Sequence, residues 1–207
     1  MYLSRVEIDK KKYETMKALY NLEIMHGMVE RSFEGSRQRN LWRMDQLAGK
    51  DYLLLLSSTS PNNDNLPEQI GFADSKWETK SYDSFLSKIS NGSQWHFRLT
   101  VNPTVCTYQD SNVRGKVKAI VTVPAQKEWL KKQGEKRGFS LLDNQFDVVE
   151  TDWKKIKKDK REVRIISVSF EGILTVTDVD SFRELLTCGI GREKAYGMGL
   201  MTIVPYD

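Results

Sequence analysis

The spacing of apolar residues changes along the chain from a period of two to a helical period and back, and each change predicts an element. Residues 2–8 alternate apolar and polar side chains, as a half-buried strand does. Over residues 13–33 the apolar positions recur at helical spacing, on a stripe formed by Ala18, Leu22, Met25 and Val29. After a polar, basic segment over 35–50, the elements predicted for the first half are strands over 52–56 and 71–80, a short helix over 82–89 and a strand over 93–108. The predicted order of the first half is therefore β-α-β-β-α-β.

A polar stretch that ends in glycine, over 109–115, separates this half from a second one in which the same order recurs. The elements predicted there are a strand over 116–123, a helix over 124–137, strands over 146–156 and 164–176, a helix over 178–188 and a strand over 200–204. This order is that of the ferredoxin-like unit. The sequence thus predicts an α+β fold of two tandem ferredoxin-like domains, over 1–108 and 109–207, whose likeness lies in element order alone.

The last predicted helix and strand are joined by a glycine-rich loop over residues 189–199. Four of the chain's 13 glycines are in this loop: Gly189, Gly191, Gly197 and Gly199. Glycine is favoured where φ is positive or where another chain approaches closely, and the loop also contains the cations Arg192 and Lys194. Outward-facing amides with flanking cations form a seat for phosphate. The alternative is a helix C-cap at Gly189 followed by a tight turn.

A second cationic segment lies at the tip between two predicted strands of the second half. The predicted RNA-binding residues there are Lys157, Lys158, Lys160, Arg161 and Arg164, and Arg37 in the basic segment of the first half is a further candidate. A hairpin with this charge can grip phosphates or enter a nucleic-acid groove, with an affinity that falls as salt rises. The alternative is a solvated hairpin whose charges protect a sheet edge from aggregation.

Composition narrows the classes of function. With 207 residues, 39% hydrophobic and 29% charged, the chain is an ordinary globular protein, and its net charge of +4 says less than the local basic runs. No apolar run approaches the roughly 20 residues of a membrane span, and the chain begins with a predicted strand instead of a signal sequence. Two distant cysteines argue against a zinc site or a disulfide scaffold, so a cytoplasmic location is expected. Motifs for metal-, serine- or cysteine-dependent hydrolysis are absent from the sequence.

His26, one of only two histidines, lies on the border between the apolar stripe and the polar face of the first predicted helix. A histidine there is more often structural, yet it can be held by packing and still reach a ligand. Together with the glycine-rich loop and the basic hairpin, it favours RNA cleavage by the substrate's own 2′-hydroxyl. That reaction needs proton removal from the 2′-oxygen, proton donation to the 5′-oxygen and stabilisation of a charged phosphorane. Imidazole can perform either proton transfer without a metal.

Five segments of the sequence resemble the CasE family, the CRISPR-associated repeat-RNA endoribonucleases of type I-E systems. They are residues 1–6, the helix with Leu22 and His26, the strand over 97–103, the strand over 169–176 and the loop over 189–200. The resemblance implies a tandem ferredoxin-like fold and cleavage of precursor CRISPR RNA at the base of the repeat stem-loop without metal or cofactor. It further implies a 2′,3′-cyclic phosphate product and retention of the RNA with other subunits of a type I-E surveillance complex, away from membranes.

The family's catalytic histidine corresponds to His26, whereas the family's helper tyrosine, three residues earlier, corresponds to Glu23. We expect a carboxylate there to favour the protonated imidazole, which suits a general acid for the 5′-oxygen. Tyr20 and a nearby Lys or Arg are candidates for activating the 2′-hydroxyl, although Tyr20 would lie roughly 120° from His26 around the predicted helix. Two alternatives stay open, namely a catalytically silent repeat-RNA-binding subunit of the same fold and a ferredoxin-like metabolic enzyme or anion sensor.

Overall fold

The structure is a computed structural model that describes residues 1–34, 38–107, 115–158 and 161–206, and residues 157 and 158 by their backbone alone. The strands are β1 (Tyr2–Glu7), β2 (Leu41–Leu47), β3 (Lys50–Ser57), β4 (Glu78–Ser81), β5 (Gln94–Val101), β6 (Thr104–Thr107), β7 (Lys116–Ala119), β8 (Phe139–Ser140), β9 (Phe146–Lys158), β10 (Arg161–Val176) and β11 (Met201–Pro205). The helices are α1 (Tyr13–Tyr20), α2 (Leu22–Glu30), α3 (Asn65–Ile70), α4 (Asp83–Leu86), α5 (Val123–Lys136) and α6 (Val179–Cys188), with a 3-10 turn over Lys194–Tyr196. The predicted α+β class is confirmed.

The first sheet has the strand order β2-β3-β1-β4, and all neighbouring strands are antiparallel. Its strand β3 contains four consecutive leucines that are buried on both faces of the sheet. Leu53 and Leu55 pack with α1, α2 and α3, whereas Leu54 and Leu56 belong to a core cluster that includes residues of the second half. This double burial explains why the strand has an unbroken apolar run instead of alternation.

The strand β2 was not predicted, because its segment of sequence is polar and basic. In the structure Trp42 and Arg43 are both 2% exposed, and Asp45 is 8% exposed. Two charged residues in a buried strand break the apolar alternation by which strands are recognised. Sequence analysis therefore took the segment over 35–50 for a connection.

The second sheet contains β11, β5 and β10 in that order, and β9 and β8 both pair with β10. The strand predicted over 93–108 as the last of the first half is β5, which lies between β10 and β11. Its assignment to the first half was wrong, because an alternating strand does not show which sheet it joins. The segment predicted as the first strand of the second half forms part of a separate two-stranded hairpin, β6–β7. A division based on the sheets therefore falls between residues 81 and 94, before the predicted boundary at 108.

The helix predicted over 13–33 is two helices, and Asn21 separates them. Asn21 has an extended backbone (φ −125°, ψ 94°), and its side chain accepts a hydrogen bond from Glu23 N at 3.1 Å. Asparagine is a favoured N-cap because its side-chain oxygen satisfies an amide of the first turn. Tyr20 and His26 therefore lie on different helices, and the angle that a continuous helix would place between them does not apply.

A buried ionic network joins the two sheets. The Arg43 guanidinium donates to Asp45 on its own strand, to the carbonyls of Arg98 (2.9 Å) and Leu200 (2.8 Å), and to Thr202 Oγ1 (2.7 Å). Arg98 Nε lies 3.1 Å from the same Asp45 carboxylate. Burial lowers the pKa of Arg43, and the adjacent carboxylate of Asp45 opposes this shift. Because Leu200 directly follows the glycine-rich loop, this network attaches β2 to the end of that loop.

Candidate active site

His26 projects from α2 into an open cavity of about 370 Å³ between the two halves. On the same helix Met25, Met28 and Val29 are buried against the first sheet, whereas His26 is partly exposed, as its border position predicts. Three segments supply the lining: α2, the residues before β2, and the glycine-rich loop. The lining residues are His26, Glu30, Gln38, Arg39, Asn40, Lys194 and Ala195. The cavity, which we call the His26 pocket, thus combines an imidazole with two cations from distant parts of the chain.

All four glycines of the loop have positive φ, between 68° and 88°. The Gly189 amide donates to Leu185 O at 2.8 Å and ends α6, so the predicted C-cap is present. A Cβ on Gly197 would lie 2.6 Å from the Trp42 ring, and one on Gly199 would lie 2.5 Å from Ile190 O. These glycines are therefore required by the packing of the loop against itself and against β2. The Gly199 amide donates to the protein at Thr100 O, so the loop does not turn all of its amides outward.

The two cations of the loop have different positions. Lys194 Nζ donates to the carbonyls of Cys188 (2.7 Å) and Gly189 (2.8 Å) at the end of α6 and also lines the His26 pocket. Burial lowers the pKa of Lys194, and the nearby positive charges of Arg39 and Arg137 lower it further. Arg192 is exposed, pairs through its backbone with Asn102 and does not line this pocket.

The structure does not bring the predicted catalytic residues Tyr20 and Glu23 into the His26 pocket. Both line a separate crevice of about 150 Å³ against the β9–β10 hairpin, beside Lys155 and Glu162. Tyr20 is 83% exposed, so its ring is held by few contacts. The tyrosine beside the histidine is Tyr196, whose ring centroid lies 6.3 Å from that of His26.

Sequence analysis did not select Tyr196 or Arg39 as site residues. Tyr196 stood inside the glycine-rich loop, where only glycines and cations were considered. Arg39 stood in the basic segment from which Arg37 was chosen, and Arg37 lies outside the described residues. An aromatic residue flanked by glycines in a loop expected to contact phosphate is a signal that could have indicated Tyr196.

The β9–β10 hairpin presents the second group of predicted RNA-binding residues. Arg161 and Arg164 are exposed and pair across the hairpin with Lys158 and Lys155. Lys157 and Lys158 are described by their backbone alone, and Lys160 lies outside the described residues. At the base of the hairpin, a small apolar cluster attaches it to α2 and to the glycine-rich loop; its members are Ile156, Ile165, Met198, Leu22 and Tyr196. The hairpin, the loop and the histidine helix are therefore packed together.

Within the described ranges, no group of three or more His, Cys, Asp or Glu residues is placed to hold a metal ion. In the same part of the chain, no helix is both long enough and apolar enough to cross a membrane. The two cysteines, Cys106 and Cys188, are exposed and not bonded to each other.

Comparison with solved structures defines the fold class first. Thermus thermophilus Cse3, solved bound to an RNA that represents a pre-cleavage complex, superimposes with a TM-score of 0.78 at 24% identity, covering 99% of this chain and 98% of that one. Cas6e from Escherichia coli K-12 gives a TM-score of 0.66 at 24% identity, with both chains covered completely. The two-sheet α+β fold is thus the fold of these CRISPR-associated proteins.

Comparison of sequences then defines the family. The family model described as CRISPR associated protein matches residues 1–205, and the chain belongs to this family. The CRISPR-associated endoribonuclease Cse3 of Thermus thermophilus is 27% identical over 99% of this chain and 100% of the relative. The Cascade subunit CasE of Escherichia coli K12 is 30% identical over 57% of this chain and 61% of the relative. The resemblance to the CasE family that the sequence predicted is confirmed.

Proposed function

We propose that this protein is an endoribonuclease that cleaves CRISPR repeat RNA at the base of its stem-loop, without a metal ion. The observation that carries the proposal is the meeting of His26, Arg39 and Lys194 in one open pocket between the halves. Relatives named as CRISPR endoribonucleases, one of them solved with bound RNA, support the substrate class.

The two sheets support the further proposal that the chain contains two ferredoxin-like units. In each, a β-α-β-β-α-β succession forms a sheet in which the first and third strands lie side by side at the centre. The first unit uses β1, β2, β3 and β4, and the second uses β5, β9, β10 and β11. The second unit therefore begins at β5, and the β6–β7 hairpin is inserted before α5.

The pocket supplies groups suited to transesterification at a phosphodiester. The 2′-oxygen attacks the adjacent phosphorus, the bond from phosphorus to the 5′-oxygen breaks, and a 2′,3′-cyclic phosphate is left. His26 performs one of the two proton transfers. The guanidinium of Arg39 binds the non-bridging oxygens, where charge develops in the phosphorane. An ammonium has three N–H donors, so Lys194 can contact the phosphate while it holds two carbonyls of α6.

The β9–β10 hairpin and the outer part of the glycine-rich loop are suited to hold the stem of the RNA. Arg161 and Arg164 project into solvent from a hairpin that is packed against the histidine helix. Proteins recognise A-form duplexes mainly through shape and phosphates, which matches exposed cations better than base-reading side chains. We propose that Lys157, Lys158, Lys160 and Arg192 extend this contact and that the product RNA stays bound.

Retention of the RNA fits assembly with other subunits. The Escherichia coli relative is named as a subunit of Cascade, and chains of similar fold occur in RNA-guided surveillance complexes. An enzyme that keeps its product does not need rapid turnover. We therefore propose that the processed repeat RNA and this chain join a type I-E surveillance complex together.

The second candidate is a catalytically silent RNA-binding subunit of the same fold. It is favoured by one observation, the placement of Tyr20 and Glu23 outside the His26 pocket. In this case the protein would bind repeat RNA through the same cations and leave it intact.

Single-turnover incubation with the host's repeat RNA in EDTA tests the proposal. We expect wild-type protein to cleave once and to leave a cyclic phosphate that resists phosphatase until acid opens the ring. His26→Ala should cleave at least about 100-fold more slowly, the usual size of a proton-transfer contribution. The matched control is His96→Ala, because His96 is exposed on β5 and packs on Tyr206.

Three results would contradict the endoribonuclease proposal. The first is a requirement for magnesium, the second is cleavage of RNA that lacks the 2′-hydroxyl at the scissile nucleotide, and the third is equal cleavage by the His26 and His96 variants. Tight binding of intact RNA by wild-type protein would support the silent subunit.

A further inference from the structure

The proposed reaction needs one group to remove a proton and another to donate one, and His26 can perform only one of these transfers at a time. We propose that Tyr196 is the second catalytic residue, with its phenol as the general acid for the 5′-oxygen and His26 as the general base. The assignment rests on the proposed function and adds to it the identity of the second proton carrier.

The position of Tyr196 beside His26 is the first observation that supports this role. The two rings lie 6.3 Å apart between centroids and are tilted by 59°. Tyr196 also lines a cavity of about 250 Å³ along the seam between the halves, next to Thr100 and Lys154. The phenol thus stands between the His26 pocket and the seam, where an RNA strand bound to both would run past it.

The turn that carries Tyr196 is fixed on both sides. Before it, the Ala195 carbonyl accepts a hydrogen bond from Trp42 Nε1 at 3.1 Å. After it, Gly197 lies against the Trp42 ring so closely that a Cβ would stand 2.6 Å from it. A group that transfers a proton must be held in position before the substrate binds, and this turn is anchored to β2 of the other half.

Other groups near the pocket are less suited to the task. Tyr20 is 83% exposed and lines the separate crevice at the hairpin. Lys194 Nζ already donates to two carbonyls at the end of α6, and losing its proton would weaken both hydrogen bonds. A phenol with its ordinary pKa of about 10 is protonated at neutral pH and is a stronger acid than the alcohol it would protonate.

The proton balance closes between the two side chains. Neutral His26 takes the proton of the 2′-hydroxyl as the new bond from oxygen to phosphorus forms. Tyr196 gives its proton to the 5′-oxygen as the old bond breaks, which leaves a phenolate beside an imidazolium. Transfer of one proton from His26 to Tyr196, directly or through water, restores both groups.

Tyr196→Phe keeps the ring and removes the proton, so it isolates the proposed step. We expect its single-turnover cleavage rate to fall about 100-fold, with the Kd for repeat RNA unchanged. The matched control is Tyr20→Phe, which should cleave at the wild-type rate. On RNA with sulfur in place of the scissile 5′-oxygen, the leaving thiolate needs no proton, and Tyr196→Phe should then cleave within a few-fold of wild type. His26→Ala should stay slow on both substrates.

Each other outcome overturns the assignment. If Tyr196→Phe cleaves ordinary RNA at the wild-type rate while His26→Ala does not, the endoribonuclease stands without this residue. If the defect persists on the sulfur substrate, or appears as weaker binding, Tyr196 acts in positioning or affinity and not as the acid. Failure of wild-type protein to cleave either RNA would refute the proposed function itself.

Discussion

At the scale of single residues, the glycine-rich loop makes the clearest demand on the sequence, at Gly197. Alanine there would have to adopt φ +77° and place its Cβ 2.6 Å from the Trp42 ring. Left-handed backbone costs a residue with a side chain about 1–2 kcal/mol, and overpacking adds about 1–3 kcal/mol. We expect Gly197→Ala to lower the free energy of unfolding by the sum of both, as measured by urea denaturation.

A matched control separates the two costs of this substitution. Gly49, in the turn between β2 and β3, has the same φ of +77° with nothing within 4 Å of an added Cβ. Gly49→Ala should therefore show the backbone cost alone. Equal losses for the two variants would mean that the contact between Gly197 and Trp42 is not a constraint.

How much of the site the sequence could predict also depends on individual residues. The border position of His26 followed from helical periodicity, and the glycine-rich loop and the basic hairpin are continuous in sequence. The meeting of Arg39, Lys194 and Tyr196 with His26 depends on how the two halves pack, which no local pattern contains. The position of Tyr20 was misjudged for a local reason, since Asn21 ends one helix and caps the next.

At the scale of elements, β2 links the sequence problem to stability. Arg43 and Asp45 obscured this strand because their charges are satisfied by the second half. Arg43→Met would leave the Asp45 carboxylate, 3% exposed, with less compensation in the seam. Breaking a buried pair from one side typically costs about 3–5 kcal/mol, and we expect a loss near the lower end because Arg98 also contacts Asp45.

Two further variants check this interpretation of β2. In Arg43→Met/Asp45→Leu the buried carboxylate is also gone, so part of the loss should be recovered in the same urea experiment. Lys50→Met, which removes an exposed ion pair with Glu7 at the far end of the strand pair, should change stability little. A double variant less stable than Arg43→Met would show that the pair itself, and not the unpaired charge, stabilises the seam.

The β9–β10 hairpin is the second element with a distinct prediction, which concerns salt dependence. Each phosphate contact releases counterions, so the slope of log K against log salt reports the number of contacts. We expect Arg161→Gln/Arg164→Gln to weaken binding of repeat RNA and to reduce that slope by about 1.5–2. Lys11→Gln/Lys88→Gln removes the same charge from exposed positions elsewhere and should leave the slope unchanged. Equal slopes for both double variants would place the RNA away from the hairpin.

At the scale of the whole molecule, the two sheets share one core. The cluster that contains Trp95 and Phe97 of β5 also contains Leu41, Leu54 and Leu56 of the first sheet. Exposing a buried leucine costs about 1.5–3 kcal/mol, so separating the halves would cost roughly 5–9 kcal/mol at these three positions alone. This sum is comparable to the total stability of an ordinary domain, about 5–15 kcal/mol. The halves are therefore expected to depend on each other for folding.

Unfolding of the full chain should then be a single cooperative transition. Circular dichroism and tryptophan fluorescence should give coincident urea curves, because the chain's tryptophans report on both halves. Leu54→Ala should shift the whole curve to lower urea without splitting it, and a fragment over 1–92 should show no cooperative transition. Two resolved transitions, or a stably folded fragment, would contradict the shared core. The same dependence bears on catalysis, since the His26 pocket is lined by both halves and exists only while they are joined.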